Sequence, residues 1–378
     1  MRRASDSTLM SLFGAMTCLL CGCTTLLPET DLCAPGSGPS PAVDHAQPIA
    51  GGENHPVSIA VSGGNVVWAD QGPPQQDVRE GSIVALSLCS GAQRVLARQQ
   101  SRPSALVVVA DVVYWINAGM MNGEGEVWRI PLGASEGAAT QLAMEELRPS
   151  ALAVEGDIVY WCNRGDLDAM GASVPGTGTL RRLKLAGGSV ETLASALDAP
   201  SALAVRDGVV VWTEQGRGAL IDIDPNDGKT ELTASYAEAS GSVSRLDTNG
   251  AGPATRTAEQ QDSPVAIALD PQRTVWLDRG LYRGTGSVQR SDGAPLGTGF
   301  DFPGGIALDG ELVYVAVTGA IDEHEEGHIL RQGLDGQSFD LAASQQLPMA
   351  IAADRHLAYW VNFGDLTTTN GQVLVRFK

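Results

Sequence analysis

Three groupings in this sequence carry side chains whose types and spacing could do chemistry. His324-Glu325-Glu326-Gly327-His328 spells H-E-x-x-H. On a helix that spacing offers two imidazoles to zinc and a glutamate to the metal-bound water. Asp222-Ile223-Asp224-Pro225-Asn226-Asp227-Gly228 opens like a calcium loop, with oxygen ligands at alternate positions. The third grouping recurs along the chain. It sets acids or amides at Asp70, Asn117, Asn163, Glu214, Asp278 and Asn362, and basic residues just before prolines at His55, Arg102 and Arg148. The first two fail on their own terms. Gly327-His328-Ile329 reads as a strand start, which parts the histidines a helix would bring together. In the calcium-like loop Asp227 stands where glycine is required and Thr233 where a bidentate glutamate is required, so a tight turn at Asn226-Asp227-Gly228 explains it better. No P-loop or G-x-G-x-x-G occurs, and His45, His55, His324, His328 and His356 show no Ser/His/Asp grouping. The sequence predicts neither a metal nor a cofactor.

The recurring grouping leads to the elements that must position it. Seven times a proline is followed, twelve residues later, by a large residue closing a short apolar run. The pairs are Pro56/Trp68, Pro103/Trp115, Pro149/Trp161, Pro200/Trp212, Pro264/Trp276, Pro303/Val315 and Pro348/Trp360. Six of the seven tryptophans fall on that phase, which marks a repeat architecture. In the second unit Ser104–Val109 and Val112–Asn117 are β-branched runs of strand length around an Ala110-Asp111 turn. The proline suits a strand's first residue, where no ladder N–H is needed. A Gly-x-[Val/Ile/Leu] start follows each hairpin, at Gly81, Gly125, Gly178, Gly241, Gly286, Gly327 and Gly371. A fourth run, such as Ser189–Ala194, completes the unit. Four antiparallel strands in roughly 40 to 50 residues make one blade of a β-propeller. The last unit stops at its third strand, Val373–Lys378, while Gln47-Pro48-Ile49-Ala50 stands ahead of Pro56 where a fourth strand stands ahead of the other prolines. The sequence thus predicts an all-β, seven-bladed β-propeller over residues 47–378, closed by an N-terminal strand, with the tryptophans buried between blades.

Pro149-Ser150-Ala151-Leu152-Ala153-Val154 with Tyr160-Trp161-Cys162-Asn163, and Pro348-Met349-Ala350-Ile351-Ala352 with Tyr359-Trp360-Val361-Asn362, resemble YWTD and NHL-like β-propeller repeats over about residues 47–378. The resemblance implies that loops joining strands two to three and four to one share one face around a central channel. It also implies a mainly structural role for the acids and amides ending the second strands, with ligand contact as the alternative. YWTD propellers are usually six-bladed, one fewer than the count here. No particular ligand follows from such a fold.

Ahead of the repeats, Arg2 and Arg3, an apolar stretch from Leu9 to Leu20 and Leu20-Cys21-Gly22-Cys23 resemble a bacterial lipoprotein signal over residues 1–22, with Cys23 as the lipidated residue. Thr24 in place of aspartate favours the outer membrane. Residues 23–46, with Pro28, Pro35, Pro39 and Pro41, read as a tether whose reach, if flexible, is roughly 25 Å. In an oxidising periplasm Cys33 and Cys89 could pair, and Cys162 reads as a buried thiol. Net charge is −19. Losing Arg2, Arg3 and Asp6 with the signal makes it −20, because two positive charges and one negative charge leave. That balance disfavours nucleic acid, whose binding requires phosphate-neutralising cations.

Loop lengths locate the adaptable face. From the residue closing each proline unit to the next glycine start the distances are 13, 10, 17, 29, 10, 12 and 11 residues. The longest, Gln215–Ser240, holds Asp222, Asp224, Asp227 and Tyr236. The third holds Asp166 and Asp168, and the sixth Asp322, Glu323, Glu325 and Glu326. Variation on a constant scaffold points to binding through loops. His55, Arg102 and Arg148 would form a small cationic sector on that rim. The channel-lining starts are read as Ser58, Ser104, Ser150, Ser201, Val265, Gly304 and Met349, with no acid among them. The expected function is a membrane-tethered binding or scaffold lipoprotein. It would present an acidic loop face to a protein, peptide or glycan partner and touch the membrane only through its lipid. The alternative is a propeller-type hydrolase or lyase. A lactonase-like enzyme needs carboxylates and amides converging on calcium. A streptogramin-lyase-like one needs a histidine base, for which His324 is the loop candidate.

Overall fold

A computed structural model describes residues 45–73, 79–119, 123–169, 171–222, 232–250, 252–319, 326–365 and 368–378. Regular structure among them is β-strand throughout. Seven four-stranded antiparallel sheets form the blades. They run Pro56–Gln100, Pro103–Glu146, Pro149–Leu197, Pro200–Gln261, Pro264–Phe300, Pro303–Gln345 and Pro348–Phe377. Blade four carries an inserted hairpin, Gly218–Asp222 against Leu232–Tyr236. In blade seven the fourth position is held by Gln47–Glu53, antiparallel to Gly371–Phe377, with Gln47 opposite Val375 and Glu53 opposite Gly371. The leader, Cys23 and the tether to residue 44 lie outside the described residues.

Each strand's composition matches its place. Second strands such as Ile158–Asn163 are buried over five consecutive residues, because neighbouring blades cover both faces. That is why their apolar residues run together without alternating. Fourth strands such as Thr255–Gln261 are outermost, mostly exposed and polar. The Ala110-Asp111 turn has both residues left-handed, at φ 48° and 60°, the conformation of a two-residue hairpin of primed type. In blade three the turn is Gly156-Asp157, joining Glu155 to Ile158.

The core lies between blades. Trp115 packs with Val67, Ile83 and Ala85 of the preceding blade, and Trp161 with Tyr114, Ile116 and Val127. The two most regular marks in the sequence, proline and the Gly-x-[Val/Ile/Leu] glycine, meet in a single contact. A Cβ on Gly81 would collide with the ring of Pro103, and Gly125, Gly178, Gly241, Gly286 and Gly327 meet the next blade's proline in the same way. Gly371 meets Pro56, so the contact also joins blade seven to blade one.

Candidate functional site

A bulge repeated in every blade builds the mouth of the central channel. The pairing of first and second strands slips by one residue just after each proline, as between Pro103 and Ala105. The residue before each proline is left-handed, with φ between 52° at Phe302 and 60° at His55. Such a bulge re-aims one side chain. Here it is the residue after the proline, and Val57, Ser104, Ser150, Gly304 and Met349 line a cavity of about 800 Å³. Ser58 is therefore not a lining residue. It stands one position too far along, and its Oγ instead accepts from the Leu106 backbone N–H of blade two at 3.1 Å. The inner serines also latch blades together: Ser150 Oγ donates to the Pro200 carbonyl and Ser201 Oγ to that of Pro264, both at 2.7 Å.

A second ring sits beside the first. The N–H following each second strand donates to the carbonyl preceding the blade's proline, as from Arg164 to Arg148, Ala118 to Arg102 and Arg279 to Ser263. Arg102, Arg148 and Arg164 consequently line the cavity, with Gln71, Leu167 and Phe363. Arg164 Nη2 donates to Gln215 Oε1 at 2.7 Å, and Gln215 Nε2 donates to Ser263 Oγ at 3.1 Å, tying blades three, four and five. Burial lowers the pKa of Arg148, and the charge of Arg164 lowers it further, against Tyr236 and Asp166, which raise it. Arg279 keeps solvent access, yet the protein mass around it and again Arg164 push its pKa down.

His55 does not join this sector. It is buried, its Nε2 donates to the Asp365 carbonyl at 3.1 Å and its ring leans on Phe363. Burial also holds its pKa below the ordinary histidine value. The cations of the mouth are Arg102, Arg148, Arg164 and Arg279. Arg164 and Arg279 share one offset, three residues past the tryptophan, and that shared phase was the available sequence signal.

Asp70, Asn117, Asn163, Glu214, Asp278 and Asn362, the residues expected at a possible binding rim, are all buried. Asn163 Nδ2 donates to Glu146 Oε2 at 2.6 Å, Asn117 Nδ2 to Gln100 Oε1 at 3.0 Å and Asn362 Nδ2 to Gln345 Oε1 at 3.1 Å. Those acceptors also take the indole N–H of Trp161, Trp115 and Trp360, each at 2.9 Å. Glu214 Oε2 accepts from the Asp198 N–H at 2.8 Å. Burial, then the charge of Glu53, raises Asp70 to about 8. Burial, then Asp262, raises Asp278 to about 7.

Among the described residues the remaining motifs gather no set of metal ligands. His328 lies in the strand Gly327–Gly333 and pairs with Asp340 at 3.2 Å, while His324 and Glu325 lie outside the described residues. Residues 223–231 of the calcium-like loop lie outside them too. Gly133-Ala134-Ser135-Glu136-Gly137 spells G-x-S-x-G, but it occupies an exposed turn between strands with no helix following. Cys162 is a free, buried thiol whose pKa burial pushes up. Cys89 is disulfide-bonded, and Cys33 lies outside the described residues. Among the described residues no three His, Cys, Asp or Glu side chains gather as metal ligands. What the mouth offers is a cavity with guanidinium and hydroxyl donors on one side and apolar groups on the other.

No family model matches the sequence, and no curated protein matches it. Solved structures do match. The computationally designed Ika8 protein is 16% identical, with a TM-score of 0.56, over 88% of this chain and 98% of that one. The β-propeller domain of the Trilobed protease from Pyrococcus furiosus, described as having an open velcro topology, is 11% identical, with a TM-score of 0.55, over 85% of this chain and 95% of that one. At such identities the likeness shows the fold alone: this chain is a seven-bladed β-propeller.

Proposed function

We propose that this chain is a binding protein built on YWTD/NHL-like repeats. A lipid on Cys23 would hold it at the bacterial outer membrane, and its channel mouth and surrounding loops would engage a protein, peptide or glycan. The observation that carries this reading is the cavity of about 800 Å³ on the face where loop length varies. Its size and mixed lining suit recognition.

The course of the chain supplies an orientation. Gln47 pairs with Val375, at the end of the strand away from Gly371 and the mouth. Cys89 lies beside Gly64, in a turn on that same far side. A Cys33–Cys89 disulfide would fasten the tether there, and the mouth would then face away from the membrane. The hydrolase or lyase alternative requires a base or a ligand set at the mouth. Its strongest remaining candidate, His324, lies outside the described residues.

The test is a pull-down from native membranes. Wild type is compared with a variant whose Gly218–Tyr236 hairpin is replaced by a short glycine turn. The Ala237 N–H donates to the Arg217 carbonyl at 2.8 Å across the neck, so excision spares the ring. Loop closure changes by only about 0.6 kcal/mol per doubling of length. The folded variant is expected to lose its partner. Retention of every partner, or stoichiometric calcium together with lactone or lyase turnover in the purified protein, contradicts the reading. Cys23→Ala should remove the lipid mass and release the protein from membranes; unchanged mass and fractionation would refute the anchor.

A further inference from the structure

Taking the mouth as the binding site, the geometry points to the chemical group it recognises: an organic oxyanion, carboxylate or phosphate, carried next to an apolar moiety. Arg102, Arg148 and Arg164 would meet the anion, and Val57, Met349 and Phe363 the apolar part.

The distribution of charge is the first observation. A chain of net charge −19 gathers three arginines around one cavity, with Arg279 near enough to feel the charge of Arg164. Arg164 lies close enough to Arg148 for its charge to disfavour that of Arg148. Among the described residues neither they nor Arg279 form an ion pair with a carboxylate. Asp166 and Tyr236 act on Arg148 from a distance and offset part of that repulsion. An anion among the guanidinium groups would remove the rest, and Arg recognises planar oxyanions bidentately.

The second observation is independent of charge. Arg148 Nη1, Arg164 Nε and Ser104 Oγ are buried without a hydrogen-bond partner, and all three side chains line the cavity. Buried donors left unsatisfied are costly, so a cluster of them around one cavity marks where an acceptor belongs. The equivalent hydroxyls of Ser150 and Ser201 are engaged by neighbouring carbonyls, which makes the open state of Ser104 a local feature.

The third observation is the other wall. Met349 and Phe363 of blade seven and Val57 of blade one face the cavity, with Gly304 of blade six. The apolar sector of blades seven and one adjoins the cationic sector of blades two and three around the same cavity, which fits an amphipathic anion better than a bare inorganic one.

Calorimetric titration of the full-length protein in detergent tests this, with phenyl phosphate, benzoate, inorganic phosphate and neutral phenol as probes. Phenyl phosphate or benzoate should bind saturably at one site, inorganic phosphate at least about tenfold more weakly, and phenol not at all. Whichever aromatic anion binds more tightly identifies the head group. Arg148→Ala should weaken that binding at least about tenfold, with circular dichroism unchanged. Arg331→Ala, which removes a cation stacked on Phe339 in blade six, should leave it unaltered. Absence of saturable binding by either aromatic anion, or equal affinity in Arg148→Ala, overturns the inference. Failure here with the hairpin-dependent pull-down intact would remove the anion and leave the binding-protein reading standing. Anion binding without any retained partner would do the reverse.

Discussion

Glu146 shows how single side chains hold one blade to the next, since it ends blade two and its donors lie in blade three. It is buried and accepts from Trp161, Asn163 and Arg181, the last at 3.0 Å to both oxygens. Glu146→Ala would strand three donors and should cost about 3–5 kcal/mol. Glu146→Gln keeps an acceptor for the indole and should cost about 1–2 kcal/mol. Urea denaturation of both variants separates these outcomes. The buried acids give a second prediction. Asp70 and Asp278 hold their protons up to about pH 8 and pH 7, whereas the unfolded carboxyl titrates near 3.8. Between about pH 4 and those values the folded state binds more protons than the unfolded one. Stability is therefore full below about pH 4 and falls as pH rises towards 7–8, the reverse of an ordinary ion-paired aspartate. Blades two, three and seven carry Asn117, Asn163 and Asn362 at the same position, so Asp278→Asn and Asp70→Asn adopt the ring's own neutral solution. Each should raise the urea midpoint at pH 8 and flatten its slope between pH 5 and 8; a slope equal to wild type would contradict the assignment.

At the scale of elements, the proline and the glycine form one joint seen from two blades. Gly125→Ala would drive a methyl group into Pro149 and should destabilise by about 1–3 kcal/mol. Gly133→Ala, where the added carbon meets open space, should change stability by less than about 0.5 kcal/mol. Thermal unfolding of the pair checks it, and equal melting temperatures would break the joint argument. This joint was legible as recurrence, because a steric contact repeated seven times leaves the same two residue types at the starts of the first and third strands of every blade. The bulge was not. It is a backbone slip without a residue type of its own. The lining position of blade one was legible by phase, since the other six starts each directly follow a proline, but Ser58 matched by residue type and Val57 holds the place. The same blindness applied to His55. A histidine beside two arginines reads as a third cation, and only burial against Phe363 and the Asp365 carbonyl removes it. Arg164 and Arg279 were readable by phase, but their significance depends on two rings converging at the mouth, which only the closed blade geometry supplies.

At the scale of the whole molecule, seven blades make a closed ring with two unlike faces. One face gathers the unequal connections, the cavity and the arginines. The other carries short strand-one-to-strand-two turns with exposed acids such as Asp111, Asp157 and Glu311. The proposed function puts partner binding on the first face, and a charge-reversal comparison tests that proposal most directly. Arg148→Glu with Arg164→Glu at the mouth is set against Asp111→Lys, Asp157→Lys and Glu311→Lys on the opposite face, each set confirmed as folded by circular dichroism and used to retrieve partners from native membranes. The account predicts that the mouth variant loses its partner while the opposite-face variant keeps it. Partners released by the lysine set and retained by the glutamate pair would contradict it.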